Sequence, residues 1–133
     1  MKRVAVIGGG SFGTALALVL DTAGNHVRIW ARESEIVKGI NHKHHNPTYL
    51  PEIALPDKII AYADMSEALD GADMVLIATP SHTVREVAAR IKSHLKGHEI
   101  VVTVAKGIEM DTFKTMSQVL VEVLEGKIIE DHI

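Results

Sequence analysis

A glycine-rich turn between an apolar run and an amphipathic segment is the feature that most constrains this chain. Val4 to Ile7 form a continuous apolar run, which is typical of a strand buried on both faces of a parallel sheet. Gly8, Gly10 and Gly13 follow with the spacing G-x-G-x-x-G. The apolar residues that come next recur at helical spacing and predict a helix with one apolar face: Phe12, Ala15, Leu16, Val19, Leu20 and Ala23. The stretch therefore predicts a strand, a tight turn and a helix.

Each glycine of the turn has its own expected role. Gly8 permits the tight turn, Gly10 lets backbone approach a pyrophosphate without an intervening Cβ, and Gly13 lets the helix pack closely on the sheet. The helix that follows points its unpaired N–H groups and positive dipole end at the turn, which favours an anion. The position of the motif between strand and helix favours dinucleotide binding over a turn that binds nothing.

The overall composition excludes several classes of function. Hydrophobic residues make up 47% and charged residues 23% of the 133 positions, as is ordinary for a globular domain. The net charge of -3 does not indicate nucleic acid or an anionic membrane as the main partner. The absence of cysteine excludes disulfides, thiol catalysis and cysteine-ligated metals. No apolar run is long enough for a membrane span or a signal peptide, so we expect a cytoplasmic protein.

The end of the second predicted strand bears on the choice of cofactor. An acidic residue about 20 positions after the glycines would bind the ribose hydroxyls of NAD, whereas an arginine accommodates the 2′-phosphate of NADP. This strand ends at Trp30, and Arg32 stands where the cofactor's adenosine is expected, which favours NADP. Glu33 follows directly and can meet a ribose, so NAD also stays open.

The segment from Asn41 to Asp57 has no hydrophobic period and holds three of the four prolines. A loop of this length in a compact domain is usually functional or disordered. Its histidines, His42, His44 and His45, have no carboxylate or cysteine at ligand spacing beside them, so no metal site is predicted. Tyr49 is expected to lie in a clamp over a ligand or over the sheet edge.

The rest of the chain alternates strands and helices. Further strands are predicted at Ile59–Tyr62, Met74–Ala78 and Ile100–Val104, with Ser81 as the N-cap of the helix between the last two and a sixth strand beginning within Lys127–Ile133. This rhythm predicts an α/β fold, a Rossmann doubly wound and mostly parallel sheet with helices on both faces. The glycine turn, Arg32, Thr79 to Ser81 and Lys106 all follow strand ends, so they are expected on one rim.

Four segments carry a resemblance to a known family. They are GGGSFGTALA at 8–17, NPTYLP at 46–51, ATPS at 78–81 and AKGIE at 105–109. Together they resemble bacterial NAD(P)-dependent glycerol-3-phosphate dehydrogenase, and the likeness runs along the whole chain. The glycine turn alone fits many dehydrogenases, while NPTYLP and AKGIE narrow the choice.

The resemblance implies an enzyme that reduces dihydroxyacetone phosphate to sn-glycerol 3-phosphate with NAD(P)H for phospholipid synthesis. It implies that Ser11 and Phe12 contact the cofactor pyrophosphate, that Arg32, with Glu33, faces the adenosine 2′ position, and that Tyr49 lies in the cofactor-side loop. Lys106 would touch both the nicotinamide end and the substrate. Small molecules are thus the expected partners, and a homodimer is a candidate assembly for the intact enzyme.

The resemblance also implies a second domain. Family members continue into a helical C-terminal domain with the general acid/base lysine and most substrate-phosphate contacts. Residues 1–133 therefore correspond to the NAD(P)-binding Rossmann domain, with no catalytic residue of their own and the lysine expected beyond Ile133. This domain alone lacks the proton donor and the second domain that would exclude water from the site. It is therefore expected to bind NADPH weakly and to catalyse nothing.

Two other functions stay open at this point. A module that senses NAD(P)(H) and regulates a partner without chemistry explains the glycine turn equally well, but it does not explain AKGIE or NPTYLP. A two-domain dehydrogenase acting on a β-hydroxyacid or a sugar nucleotide would share the first domain and differ in the second.

Overall fold

A five-stranded sheet in which every strand runs parallel to its neighbours forms the centre of the computed structural model, which describes residues 1–133. The strands are β1 (Arg3–Ile7), β2 (His26–Trp30), β3 (Ile60–Tyr62), β4 (Met74–Ile77) and β5 (Ile100–Thr103). Their spatial order is β3-β2-β1-β4-β5, so the chain moves outward in one direction from β1 and then crosses back to β4 on its other side. This order confirms the doubly wound Rossmann fold.

Helices connect the strands and cover both faces of the sheet. They are α1 (Ser11–Thr22), α2 (Ser34–Lys38), α3 (Met65–Leu69), α4 (Val84–Lys92) and α5 (Met116–Val123). Helix α2 continues into a π-helical turn at Gly39–Lys43, and 3₁₀ turns occupy Ser81–Thr83 and Glu130–His132. None of these helices has the length and apolar character needed to cross a bilayer.

The apolar run of β1 divides between two cores. Successive side chains of a strand point to opposite faces, so Val4 and Val6 pack with α1 and α2, whereas Ala5 and Ile7 pack with α3, α4 and α5. All four of these side chains are at most 3% exposed. Burial on both faces explains why this strand is continuously apolar rather than alternating.

Helix α1 lies with a different face on the sheet from the one that its apolar spacing predicts. Its buried residues are Gly13, Thr14, Ala17 and Asp21, whereas Phe12 and Val19 are 58% and 61% exposed. A Cβ on Gly13 would overlap the carbonyl oxygen of Gly8, so helix and turn approach more closely than a large side chain permits. The face of α1 on the sheet is therefore set by close packing of small residues and not by the predicted apolar spacing. Leu16 and Leu20 of the predicted apolar face still contact the core.

The predicted sixth strand is absent, because the chain turns back after α5. Gly126 has a φ of 81°, and the N–H groups of Lys127 and Ile128 both donate to the carbonyl oxygen of Leu124 at 3.0 Å. Ile128 is buried at 5% exposure, and the residues after it form the 3₁₀ turn Glu130–His132. The side chain of Ile128 fills the core instead of extending the sheet.

Candidate functional site

A cleft of about 470 Å³ opens at the carboxyl ends of β1, β2 and β4, where the strand order reverses. Ligands of doubly wound sheets bind at this kind of position. The lining comes from the glycine turn, the end of β2 and the residues after it, the loop 46–51 (the Tyr49 loop), the residues after β4, and α4 with the 3₁₀ turn before it: Gly8, Gly9, Gly10, Ser11, Trp30, Arg32, Glu33, Tyr49, Ala78, Thr79, Pro80, His82, Thr83, Glu86, Val87 and Arg90.

The glycine turn has the geometry that its spacing predicts. Gly8 has a φ of +127°, and a Cβ there would lie 2.8 Å from the carbonyl oxygen of Ala78. A Cβ on Gly10, by contrast, would meet nothing within 4 Å. Gly8 is thus required by the fold, while the missing side chain at Gly10 leaves open space that a ligand can occupy.

Helix α1 directs an uncapped N-terminus at this turn. Gly10 is the N-cap residue, with no side-chain cap bond, and the first turn of this 12-residue helix carries no acidic residue. Its first N–H groups have no partner within the helix, and the dipole places partial positive charge there. The arrangement suits a phosphate or diphosphate.

Arg32 and Glu33 lie together on the β2 side of the cleft. Ala31 before them is buried, and a Cβ added to Gly9 would lie only 2.7 Å from the Cβ of Ala31, so the residue that follows β2 packs closely against the glycine turn. Arg32 is exposed and Glu33 is half-buried. A cation and a carboxylate therefore stand side by side where the sequence predicts an adenosine contact.

Asn46 holds the Tyr49 loop against the glycine turn. Its side chain is fully buried, and its Nδ2 donates to the carbonyl oxygen of Gly9 at 2.7 Å and to Thr14 Oγ1 at 2.9 Å. Its Oδ1 accepts from the backbone N–H groups of Thr48 at 3.2 Å and Tyr49 at 3.1 Å. Every hydrogen-bonding direction of this amide is used to fix the Tyr49 loop at the cleft.

Helix α4 and the turn before it form the opposite wall. Ser81 begins the 3₁₀ turn rather than capping the helix, because α4 starts only at Val84 with Thr83 as its N-cap residue. The hydroxyl of Thr83 donates to the carbonyl oxygen of Pro80 at 2.7 Å. This bond lies within the connection between β4 and α4, and the helix has no side-chain cap bond. The prediction of Ser81 as N-cap is wrong.

Three predicted site residues lie outside the cleft lining. Gly13 is buried beneath the turn, Phe12 is exposed on α1, and Lys106 is exposed in the segment that follows β5. Since β5 is parallel to β4 and adjacent to it, Lys106 still lies beyond the same edge of the sheet. The structure brings the other predicted residues, Gly8, Gly10, Ser11, Arg32, Glu33 and Tyr49, together at the cleft.

A charged network fixes the segment that directly follows Lys106. Arg85 of α4 donates two hydrogen bonds to the carboxylate of Glu109, at 2.8 and 2.9 Å, and a third to Glu122 at 2.6 Å. Lys114 completes the network with an ion pair to Glu122 at 2.9 Å. The bonds from Arg85, followed by the one from Thr112, lower the pKa of Glu109 from 4.5 to about 2.

The histidine-containing loop shows no convergence of metal ligands. No three histidine, aspartate or glutamate side chains of the chain come together at a distance suited to a metal ion. Nε2 of His44 lies 3.6 Å from a carboxylate oxygen of Asp57, and Nδ1 of His45 lies 3.3 Å from the carbonyl oxygen of Lys43.

Comparison with known proteins decides the family. Residues 3–130 match the family model described as the N-terminus of NAD-dependent glycerol-3-phosphate dehydrogenase. The chain belongs to this family. The resemblance carried by the glycine turn, NPTYLP, ATPS and AKGIE is thereby confirmed.

Individual relatives agree with this assignment. The chain is 49% identical over 122 residues to glycerol-3-phosphate dehydrogenase [NAD(P)+] of Myxococcus xanthus, covering 92% of this chain and 36% of that protein. Its structure resembles the glycerol-3-phosphate dehydrogenase of Coxiella burnetii with a TM-score of 0.86 and 33% identity, over 96% of this chain and 38% of that one. The Saccharomyces cerevisiae enzyme gives a TM-score of 0.83 at 27% identity, over 93% and 39% of the two chains. The chain thus spans well under half the length of these glycerol-3-phosphate dehydrogenases.

The hydrophobic period of the sequence does not predict that one side of α4 lines the cleft. Thr83, Glu86 and Arg90 recur at i, i+3 and i+7, which places them on one side of the helix. The apolar period of α4 identifies only its buried side and gives no signal for this polar side. Trp30 ends β2 and also lines the cleft, a contact that its place in the sequence does not indicate.

Proposed function

We propose that this chain is the NAD(P)(H)-binding domain of a glycerol-3-phosphate dehydrogenase. The full enzyme would reduce the C2 carbonyl of dihydroxyacetone phosphate to sn-glycerol 3-phosphate, a precursor for phospholipid synthesis. The observation that carries the proposal is that the glycine turn, the uncapped N-terminus of α1 and Arg32 face one cleft at the point of strand reversal. Cytoplasmic location and a homodimeric full enzyme stay predictions.

The residues at the turn fit a dinucleotide's diphosphate. Gly10 and Ser11 line the cleft, and the open space beside Gly10 allows the backbone N–H groups to approach phosphate oxygens. The α1 dipole adds a favourable field for the negative charge. Phe12, which is next along the chain, would contribute its backbone N–H rather than its exposed ring.

The adenosine would lie on the β2 side of the cleft. The Arg32 guanidinium suits a 2′-phosphate, and the adjacent Glu33 carboxylate suits free ribose hydroxyls. Both cofactors therefore stay open, with NADP favoured by the exposed and unpaired cation of Arg32.

The substrate end of the site would begin at Lys106. When bound, the nicotinamide cofactor supplies the hydride for carbonyl reduction. The Lys106 ammonium would attract the substrate's charged phosphate and polarise its carbonyl, from a segment that the Arg85–Glu109 pair holds in place. We propose that the proton donor comes from the part of the family's longer members that this chain does not span.

Calorimetric titration with NADPH and NADH tests the binding proposal. The unmodified chain is expected to bind at least one of them, and Gly10→Ala is expected to weaken binding, because the added Cβ occupies the space expected for the diphosphate. Ser93→Ala, a change on the exposed surface beyond α4, is the matched control and should bind normally. No heat at millimolar nucleotide with a folded sample would contradict the proposal.

An activity assay tests whether the 133-residue chain catalyses the reaction without the remainder of the longer family members. The 133-residue chain should oxidise NADPH in the presence of dihydroxyacetone phosphate at a negligible rate, since it supplies no assigned proton donor. A rate near that of a full-length relative would show that the chain contains the complete catalytic machinery.

A further inference from the structure

Arg90 and Trp30 form a stacked pair in the wall of the cleft. The guanidinium carbon of Arg90 lies 5.2 Å from the centroid of the Trp30 ring, within the range of a cation–π contact. The indole N–H donates to the carbonyl oxygen of Ala63 at 2.9 Å, and Trp30 is only 6% exposed. The ring is thus held firmly, and the Arg90 guanidinium packs over it where both residues line the cleft.

Apart from the contact with Trp30, the Arg90 side chain has no polar or charged partner in the chain. It is exposed, and it takes part in no ion pair or side-chain hydrogen bond of the chain, unlike Arg85 on the same helix. A guanidinium is planar, so one face against an indole leaves the opposite face for a second flat group. Arginine planes commonly stack on nucleobases in this way.

The position of the pair identifies the part of a dinucleotide that would reach it. Trp30 is the last residue of β2 and precedes Arg32 by two positions, so the pair belongs to the side of the cleft assigned above to adenosine. Helix α4 follows β4, which is separated from β2 by β1. Arg90 therefore reaches across from one wall of the cleft to the other.

We propose that Arg90 is an adenine-binding residue. The adenine ring stacks on the face of the guanidinium opposite Trp30, which gives a sandwich of indole, guanidinium and base. This role rests on the proposed dinucleotide binding and adds a contact that serves NADH and NADPH equally, since both carry the same base. Arg32 and Glu33 then discriminate at the 2′ position.

The fluorescence of Trp30 tests the placement without any mutation, because Trp30 is the only tryptophan. Titration with ADP should change its emission, while nicotinamide mononucleotide at the same concentration should leave the emission unchanged. If calorimetry detects NADPH binding while the emission of Trp30 stays constant, the adenine lies elsewhere and the inference is wrong.

Variants of Arg90 test the chemistry of the contact. Arg90→Ala and Arg90→Lys should both weaken NADH and NADPH by a common factor of about three to thirty, because lysine keeps the charge but not the plane. Lys92→Ala removes a cation from the same helix outside the cleft and is the control for charge alone. Thermal unfolding confirms that each variant is folded.

Three results would overturn the inference in distinguishable ways. Unchanged affinity in both Arg90 variants would mean that the residue makes no energetically useful contact. Loss restricted to NADPH, with Arg90→Lys retaining affinity, would mean that Arg90 meets the 2′-phosphate. Absence of any dinucleotide binding by the unmodified chain would remove the proposed function itself and the adenine contact with it.

Discussion

The side-chain amide of Asn46 donates a 2.7 Å hydrogen bond to the carbonyl oxygen of Gly9, although the two residues are 37 positions apart. Gly9 stands inside the glycine turn, and Asn46 begins the NPTYLP segment. Two of the segments that carry the family resemblance are therefore one structural unit. The Tyr49 loop is held at the cleft by this amide rather than by regular secondary structure.

Replacement of Asn46 by alanine should lower both stability and nucleotide affinity. Loss of the amide leaves buried backbone groups without partners, at a cost of about 1 to 3 kcal/mol, and frees Tyr49 from the cleft. Urea unfolding and calorimetry with NADPH measure the two effects.

Asn41 offers a matched control for that experiment. Its side chain makes a comparable pair of hydrogen bonds to Ala61, at 2.7 and 2.9 Å, but it fixes the π-helical turn Gly39–Lys43 to β3, outside the cleft. Asn41→Ala should also destabilise the fold while leaving the affinity of the folded protein unchanged. Equal losses of affinity in both variants would argue against a specific positioning role for Asn46.

Alanine should destabilise the fold much more at Gly8 than at Gly10. Gly8→Ala forces a side chain into a φ of +127° and against the Ala78 carbonyl, so the free energy of unfolding should fall by about 1 to 3 kcal/mol or more. Gly10→Ala has space and a φ of -77°, so stability should change by about 1 kcal/mol or less. Denaturant titration measures both, and similar losses at the two positions would contradict this account of the turn.

Arg32→Ala should reduce NADPH affinity selectively. Loss of one charged phosphate contact costs about 1.5 to 3 kcal/mol, or roughly ten- to a hundredfold, while NADH lacks the phosphate and should bind nearly unchanged. Lys38→Ala, an exposed cation of α2 outside the cleft, serves as the control in the same titrations. Weakened NADH binding by the same factor would assign Arg32 to a part of the cofactor that both nucleotides share.

Because the pKa of Glu109 is lowered, the free energy of unfolding should depend on pH in the acidic range. Its ordinary pKa of 4.5 falls to about 2 in the folded chain, chiefly through the hydrogen bonds from Arg85. The unfolded state therefore binds the proton first as the pH falls, so this carboxylate's stabilisation is fully present above about pH 4.5 and is lost on the way down to about pH 2.

Glu109→Gln should flatten that part of the pH profile. Thermal unfolding between pH 5 and pH 2, compared with the exposed carboxylate variant Glu125→Gln, measures the difference. A profile for Glu109→Gln as steep as that of the unmodified chain would mean that other carboxylates, such as Asp64, Asp73 and Glu122, carry the acid sensitivity.

Features whose causes lie close together in the chain were predictable from the sequence. The run Val4 to Ile7, the glycine spacing and the strand that ends at Trp30 each depend on a few neighbouring residues, and together they predicted the Rossmann fold. The same holds for the rim position of Arg32, because the end of a parallel strand defines that edge of the sheet.

Features that depend on contacts between distant residues were decided only by the tertiary structure. The face of α1 on the sheet follows from the close approach of Gly13 to Gly8, which outweighs the apolar spacing of Phe12 and Val19. The anchor at Asn46 and the Arg90–Trp30 stack join segments that meet only after the strands have taken the order β3-β2-β1-β4-β5. Hydrophobic period and turn chemistry are local, whereas the packing of one element on another depends on which elements become neighbours.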